Sequence, residues 1–135
     1  MGLRVLSSKN YMKKMTVSIN KKGELVFPDF VVDSLGIMNN WVVFYYDEGA
    51  HDPLIVCFMR SNVDSAAFLL HKSGNCCYLA TELLFDDIGL YDYKNETVSF
   101  RLERCVNGRL CNVYAFRLIK VNNTKTNDKR NKFKV

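Results

Sequence analysis

The chain presents one order of short segments twice, and that order leaves few folds open to it. In the first pass, residues 16–20 ("TVSIN") alternate as a half-buried strand does, and Lys21-Lys22-Gly23 turns the chain. Glycine there supplies a positive φ without steric cost, which is why hairpin loops favour it. Residues 24–27 make a short apolar strand, followed by Pro28. Residues 29–35 then place Phe30, Val31, Ser34 and Leu35 at a spacing that fits two turns of helix. Gly36 stands where a left-handed residue ends a helix. "WVVFYYD" is a β-branched and aromatic strand, "EGAHDP" a turn, and "LIVCFMR" the returning strand.

Residues 67–119 repeat the order. "AFLLHKSG" lies over "TVSINKKG" at an offset of 51, and "CCYL" lies over "LVFP". Ile88-Gly89-Leu90 lies over Leu35-Gly36-Ile37 at an offset of 53. Thr81 stands where it would cap the second helix, "ELLFDD". "ETVSFRLER" takes the place of the aromatic strand, Asn107-Gly108 makes a hairpin turn, and "CNVYAFRLIK" returns. Few identities survive, so order and spacing carry the reading of an internal duplication. The expected fold class is mainly β with short helices: two β-β-α-β-β repeats, residues 16–60 and 67–119, joined by a linker at 61–66. Residues 1–15 read as a basic leader. Residues 120–135 read as a basic tail too polar to build a core of its own, expected to be disordered.

A hairpin with a Lys-Gly turn, then "LVFP", a short helix and Leu-Gly-Ile resembles the AbrB/SpoVT/MazE group. These are swapped-hairpin DNA-binding domains of bacterial regulators and antitoxins. The resemblance covers residues 16–60 and, in weaker form, 67–119. It implies that two copies of the unit interleave to close one small barrel, since a half-barrel would leave strand edges bare and an apolar face wet. A chain holding both copies can supply both halves itself, as in the tandem MraZ branch, giving one pseudo-twofold swapped-hairpin barrel. The implied function is a DNA-binding transcriptional regulator of cytoplasmic, bacterial or phage setting. This sequence departs from the family's cation pattern. The first helix reads Asp29-Phe30-Val31-Val32-Asp33 where family members carry arginine, and Asp86 stands at the matching place in the second. Asn39-Asn40 replaces the Gly-Asp that usually follows Leu-Gly-Ile.

Charge divides by region. Residues 1–22 carry six cations and no acid, residues 120–135 six cations and one acid, and residues 23–119 seven cations and thirteen acids. The net +5 therefore lives in the two ends of a chain whose body is acidic. Basic ends suit phosphate contacts or serve as solvated arms. The candidate contacts to double-stranded DNA are Lys13, Lys14, Lys21 and Lys22 around the first hairpin, Lys72 in the second copy, and Arg101, Arg104 and Arg109 on the last hairpin. Arg117 belongs to the same hairpin, and alternation places Arg101 and Glu103 on one face of their strand. The alternative is a non-enzymatic protein-binding or assembly module of the same fold, which an acidic body with seven tyrosines would suit. A homo-oligomer fits either.

Catalysis is not expected. His71 near Cys76 and Cys77 is the one nucleophile-and-base pairing close in sequence, and hairpin pairing alone accounts for it. Asp86-Asp87 reads as a solvated helix end, and no phosphate-cradling loop is present. The five cysteines are odd in number, contain no Cys-x-x-Cys pair and follow no signal peptide, so free thiols in a cytoplasmic chain are expected. His51 and His71 lack ligand-like spacing, and neither a metal nor a cofactor is expected. No apolar run approaches the roughly 20 residues that a membrane span needs.

Overall fold

The computed structural model describes residues 2–4, 15–61, 66–105 and 115–121. Among these residues there are nine strands and two helices. The first group is β1 (Thr16–Ile19), β2 (Leu25–Pro28), α1 (Asp29–Leu35), β3 (Trp41–Tyr46) and β4 (Leu54–Met59). The second is β5 (Phe68–Leu69), β6 (His71–Ser73), β7 (Cys76–Leu79), α2 (Glu82–Ile88), β8 (Val98–Arg104) and β9 (Ala115–Lys120). All strands join one antiparallel sheet in the order β5-β3-β4-β9-β8-β1-β2-β7-β6. β5 and β6 are separated only by Leu70, so the two ends of the sheet meet and a nearly closed barrel results.

The two groups interleave. β1 pairs with β2 on one edge and with β8 on the other. The stretch holding β5 and β6 pairs with β7 on one edge and with β3 on the other. β2 pairs with β7, and β4 with β9. Exchanging the groups leaves this scheme unchanged, and the register follows: Val17 opposite Phe100 corresponds to Phe68 opposite Val42. Each group thus lends strand partners that the other lacks, which removes bare edges that would otherwise invite aggregation.

Alternation on β1, β2, β7 and β8 sends Val17, Ile19, Leu25, Phe27, Cys77, Leu79 and Phe100 inward, all essentially without solvent contact. A row of edge-to-face rings, Phe68–Phe44–Phe85–Tyr91–Phe100, has centroids 5.1 to 6.2 Å apart and ties α2 to strands of both groups. β4 is buried at five of its six positions. Its alternate residues Ile55 and Cys57 form a second small cluster with Cys105 and Ala115. That double burial explains why "LIVCFM" reads as an unbroken apolar run.

The helices end as glycine requires, though differently. Gly36 (φ 64°) donates to Asp33 O and Ile37 donates to Val32 O, the paired bonds of a Schellman ending, with Ile37 fully buried. Gly89 (φ 67°) makes a single bond, to Phe85 O, and Leu90 after it is half exposed. The capping role expected of Thr81 is not observed: its hydroxyl makes no bond to the first turn of α2. It donates to Gly23 O (2.9 Å) and accepts from the Leu25 N–H (3.1 Å), because the β2–β7 pairing brings the first hairpin against the start of α2. The Asn107-Gly108 turn lies outside the described residues, as do most of the leader and nearly all of the tail.

Candidate nucleic-acid interface

The β1–β2 turn is built around Asn20. Its backbone N–H donates to Glu24 O (3.0 Å) and its carbonyl accepts from the Gly23 N–H (2.9 Å). Its side-chain oxygen accepts from the Lys22 and Glu24 N–H groups at 3.0 and 3.1 Å, while its side-chain amide donates to Glu24 (2.9 Å). An Asx-type turn of this kind fixes the loop from within. Gly23 (φ 80°) lies so close to α2 that a Cβ there would stand 2.9 Å from Glu82 Cα. The loop is thereby pinned from below, and Lys21 and Lys22 project into solvent.

The other cations are differently placed. Lys72 lies in β6, whose turn meets the start of α1: the Asp29 N–H donates to Asn75 O (3.2 Å) and the Lys72 ammonium pairs with the Asp29 carboxylate (3.2 Å). That hydrogen bond holds Lys72 above its ordinary pKa. Antiparallel pairing of β2 with β7 puts the Lys72 turn and the Lys21–Lys22 turn at opposite ends of these strands. Arg101 sits opposite Thr16, at the end of β1 away from its turn, and pairs with Glu103 (3.1 Å). Arg104 lies over the Phe116 ring, 5.7 Å from its centroid. Arg117 lies opposite Glu103 yet reaches the β3–β4 turn, donating to Asp47 Oδ2 and Asp52 O at 2.8 Å each. Of the candidates, only Lys21 and Lys22 are brought together free of a carboxylate within 4 Å, as far as the described residues go. Lys13, Lys14 and Arg109 lie outside those residues.

His71, Cys76 and Cys77 lie on the β6–β7 hairpin, with His71 exposed, Cys76 half-buried and Cys77 buried. His71 lies opposite Tyr78 with ring centroids 5.3 Å apart, and the Cys76 thiol donates to Ser73 O. Burial pushes the Cys77 thiol up, the direction opposite to an activated nucleophile's. Among the described residues, no group of three or more His, Cys, Asp or Glu side chains is placed to hold a metal ion. Nor does any helix there have the length and apolarity to cross a membrane.

Beside the pinned turn lies a groove of about 870 Å³, lined by the apolar Phe68, Ala80, Leu83 and Leu84 and by the charged Glu24, Glu82, Asp87 and Lys22. Sequence reading did not find it, nor the roles of Asn20 and Thr81. The pair Leu83-Leu84 carried no decisive signal, because adjacent apolar residues on a two-turn helix can both be buried, as Val31 and Val32 of α1 are. No protein-family model, curated protein or solved structure matches this chain.

Proposed function

We propose that this is a non-enzymatic DNA-binding barrel of the swapped-hairpin kind, with the β1–β2 turn and the basic ends of the chain as its contacts to phosphate. The observation that carries the reading is the reciprocal pairing of β1 with β8 and of β5 with β3, the arrangement that the family resemblance implies. Lys21 and Lys22, held outward on a pinned turn, are the phosphate contacts from the body. Lys72 and Arg101 are partnered by Asp29 and Glu103 and contribute less. Phosphate contacts carry no sequence information by themselves, so binding is salt-sensitive and weakly selective.

Mobility shift on unrelated duplexes at two salt concentrations tests this. Binding is expected at ~50 mM salt, where counterion release favours it most. In Lys21→Glu/Lys22→Glu, the slope of log affinity against log salt should become shallower by about 2, near one unit for each phosphate no longer neutralised. Absence of any shift at low salt overturns the DNA reading. It would favour the second reading, a protein-binding module, for which the acidic body speaks.

A further inference from the structure

The groove beside α2 has a backbone origin. β6 pairs with β7 in a register that, continued, would set Leu69 opposite Ala80. β5 turns instead to β3, with Leu69 opposite Trp41 and Phe68 opposite Val42. The two strands diverge at Leu70, and the seam of the barrel opens between Phe68 and Ala80. The first turn of α2 lies along the opening and presents Leu83, whose side chain is 81% exposed. Three carboxylates, Glu24, Glu82 and Asp87, share the lining with Phe68, Leu83 and Leu84, and Lys22 is the single cation among the described lining residues. A split seam lined by both apolar and acidic side chains suits an extended, basic segment with apolar side chains at alternate positions.

The chain contains such a segment. Residues 129–135, "KRNKFKV", alternate Lys132, Phe133, Lys134 and Val135 after two further cations. As an extended strand this places Phe133 and Val135 on one face and both lysines on the other. Its point of departure is near. The Val121 N–H donates to Ser99 O, Ser99 lies opposite Ser18, and Ser18 lies opposite Val26. The chain thus leaves β9 three strands from β2, roughly 14 Å at about 4.8 Å per strand. Residues 122–128 reach up to about 24 Å when extended, more than the distance requires. We propose that residues 129–135 dock in this groove of their own barrel, Phe133 and Val135 against its apolar side chains and Lys132 and Lys134 against its carboxylates. Docking withdraws these cations from other acidic surfaces and covers the seam.

The test uses the full chain, labelled for backbone amide resonances, at ~50 mM salt, where charge pairing is little screened. Phe133→Ala and Lys132→Glu/Lys134→Glu should each shift the amides of residues 80–87 and of Gly23 and Glu24, leaving β3, β4 and β9 unmoved. Neither substitution touches the described barrel, so folding is not in question. Glu82→Lys/Asp87→Lys should free the segment, and combining it with Lys132→Glu/Lys134→Glu should restore the docked spectrum. If the amides of residues 80–87 ignore Phe133→Ala, the proposal fails. If their shifts grow with protein concentration alongside molecular mass by light scattering, the segment docks on a second copy, and docking within one chain is overturned. The measurement contains no DNA, so its outcome is independent of the DNA reading.

Discussion

The Thr81 hydroxyl is fully buried and joins Gly23 and Leu25, nearly sixty residues earlier in the chain. Thr81→Val keeps the shape but strands the Gly23 carbonyl and the Leu25 N–H without that partner. A buried group left unpaired costs about 1–3 kcal/mol, so a loss of that size is expected in urea unfolding. Thr81→Ser keeps the hydroxyl and should lose clearly less. Equal losses would show that the hydroxyl's bonds matter no more than the packing of the methyl. Sequence could place Thr81 before a helix but not tell which backbone groups its hydroxyl meets, because those partners come from strand pairing. Tyr91 and Tyr93 make a second residue-level case. Burial pushes Tyr91 up to about 12, and a hydrogen bond to Asp86 does the same for Tyr93. The unfolded phenols titrate near ~10, so both groups bind their protons more tightly in the fold. Their stabilisation is complete below pH ~10 and is lost as pH rises toward ~12. Phenolate absorbance should therefore show Tyr91 and Tyr93 titrating late, together with alkaline unfolding. Normal titration of both in folded protein would contradict this.

Among the elements, α1 and α2 show how far local pattern reaches. Both are seven residues long, both start where the spacing places them, and both stop at a left-handed glycine. Those facts were legible because helix spacing and a terminating glycine are local properties. The endings differ because Ile37 has a core position to fill and Leu90 does not. That difference is set by the barrel, out of reach of a seven-residue pattern. A Cβ at either glycine meets ordinary space, so the cost of substitution is conformational strain. A residue with a side chain loses about 1–2 kcal/mol in the left-handed region. Gly36→Ala should cost more than Gly89→Ala, because relaxing the strain at Gly36 breaks the Ile37-to-Val32 bond and unseats a buried side chain. Shifts in urea midpoint at constant slope measure both. An equal or reversed order would mean that the Schellman ending adds nothing. The strand at 67–73 went the other way: one run in sequence, it is split at Leu70 because its edges serve β3 and β7 in turn.

For the molecule as a whole, interleaving decides how it comes apart. The first group taken alone would bare the edge of β1 that β8 covers, the edge of β2 that β7 covers, and the edges of β3 and β4 facing β5 and β9. It would also wet the inward faces of Val17, Ile19, Phe27 and Val56, each essentially without solvent contact in the barrel. Neither group, therefore, has a folded state to fall back on when the other melts, and partial unfolding leaves more apolar surface wet than it saves. The order of segments made a mainly β fold with two short helices legible. The local pattern alone is equally compatible with parts that stand side by side and parts that share strands; sharing is an expectation of the family resemblance. Strand sharing has a measurable consequence. Trp41, the single tryptophan, sits in β3 of the first group and reports on that group by fluorescence. Amide resonances of Phe100 and Leu102 in β8 report on the second. Urea midpoints from the two probes should coincide, with one slope, as expected of a cooperative unit. A first transition seen only by Trp41, or only by β8, would mean that the two groups fold as neighbours, and the energetic case for interleaving would be lost.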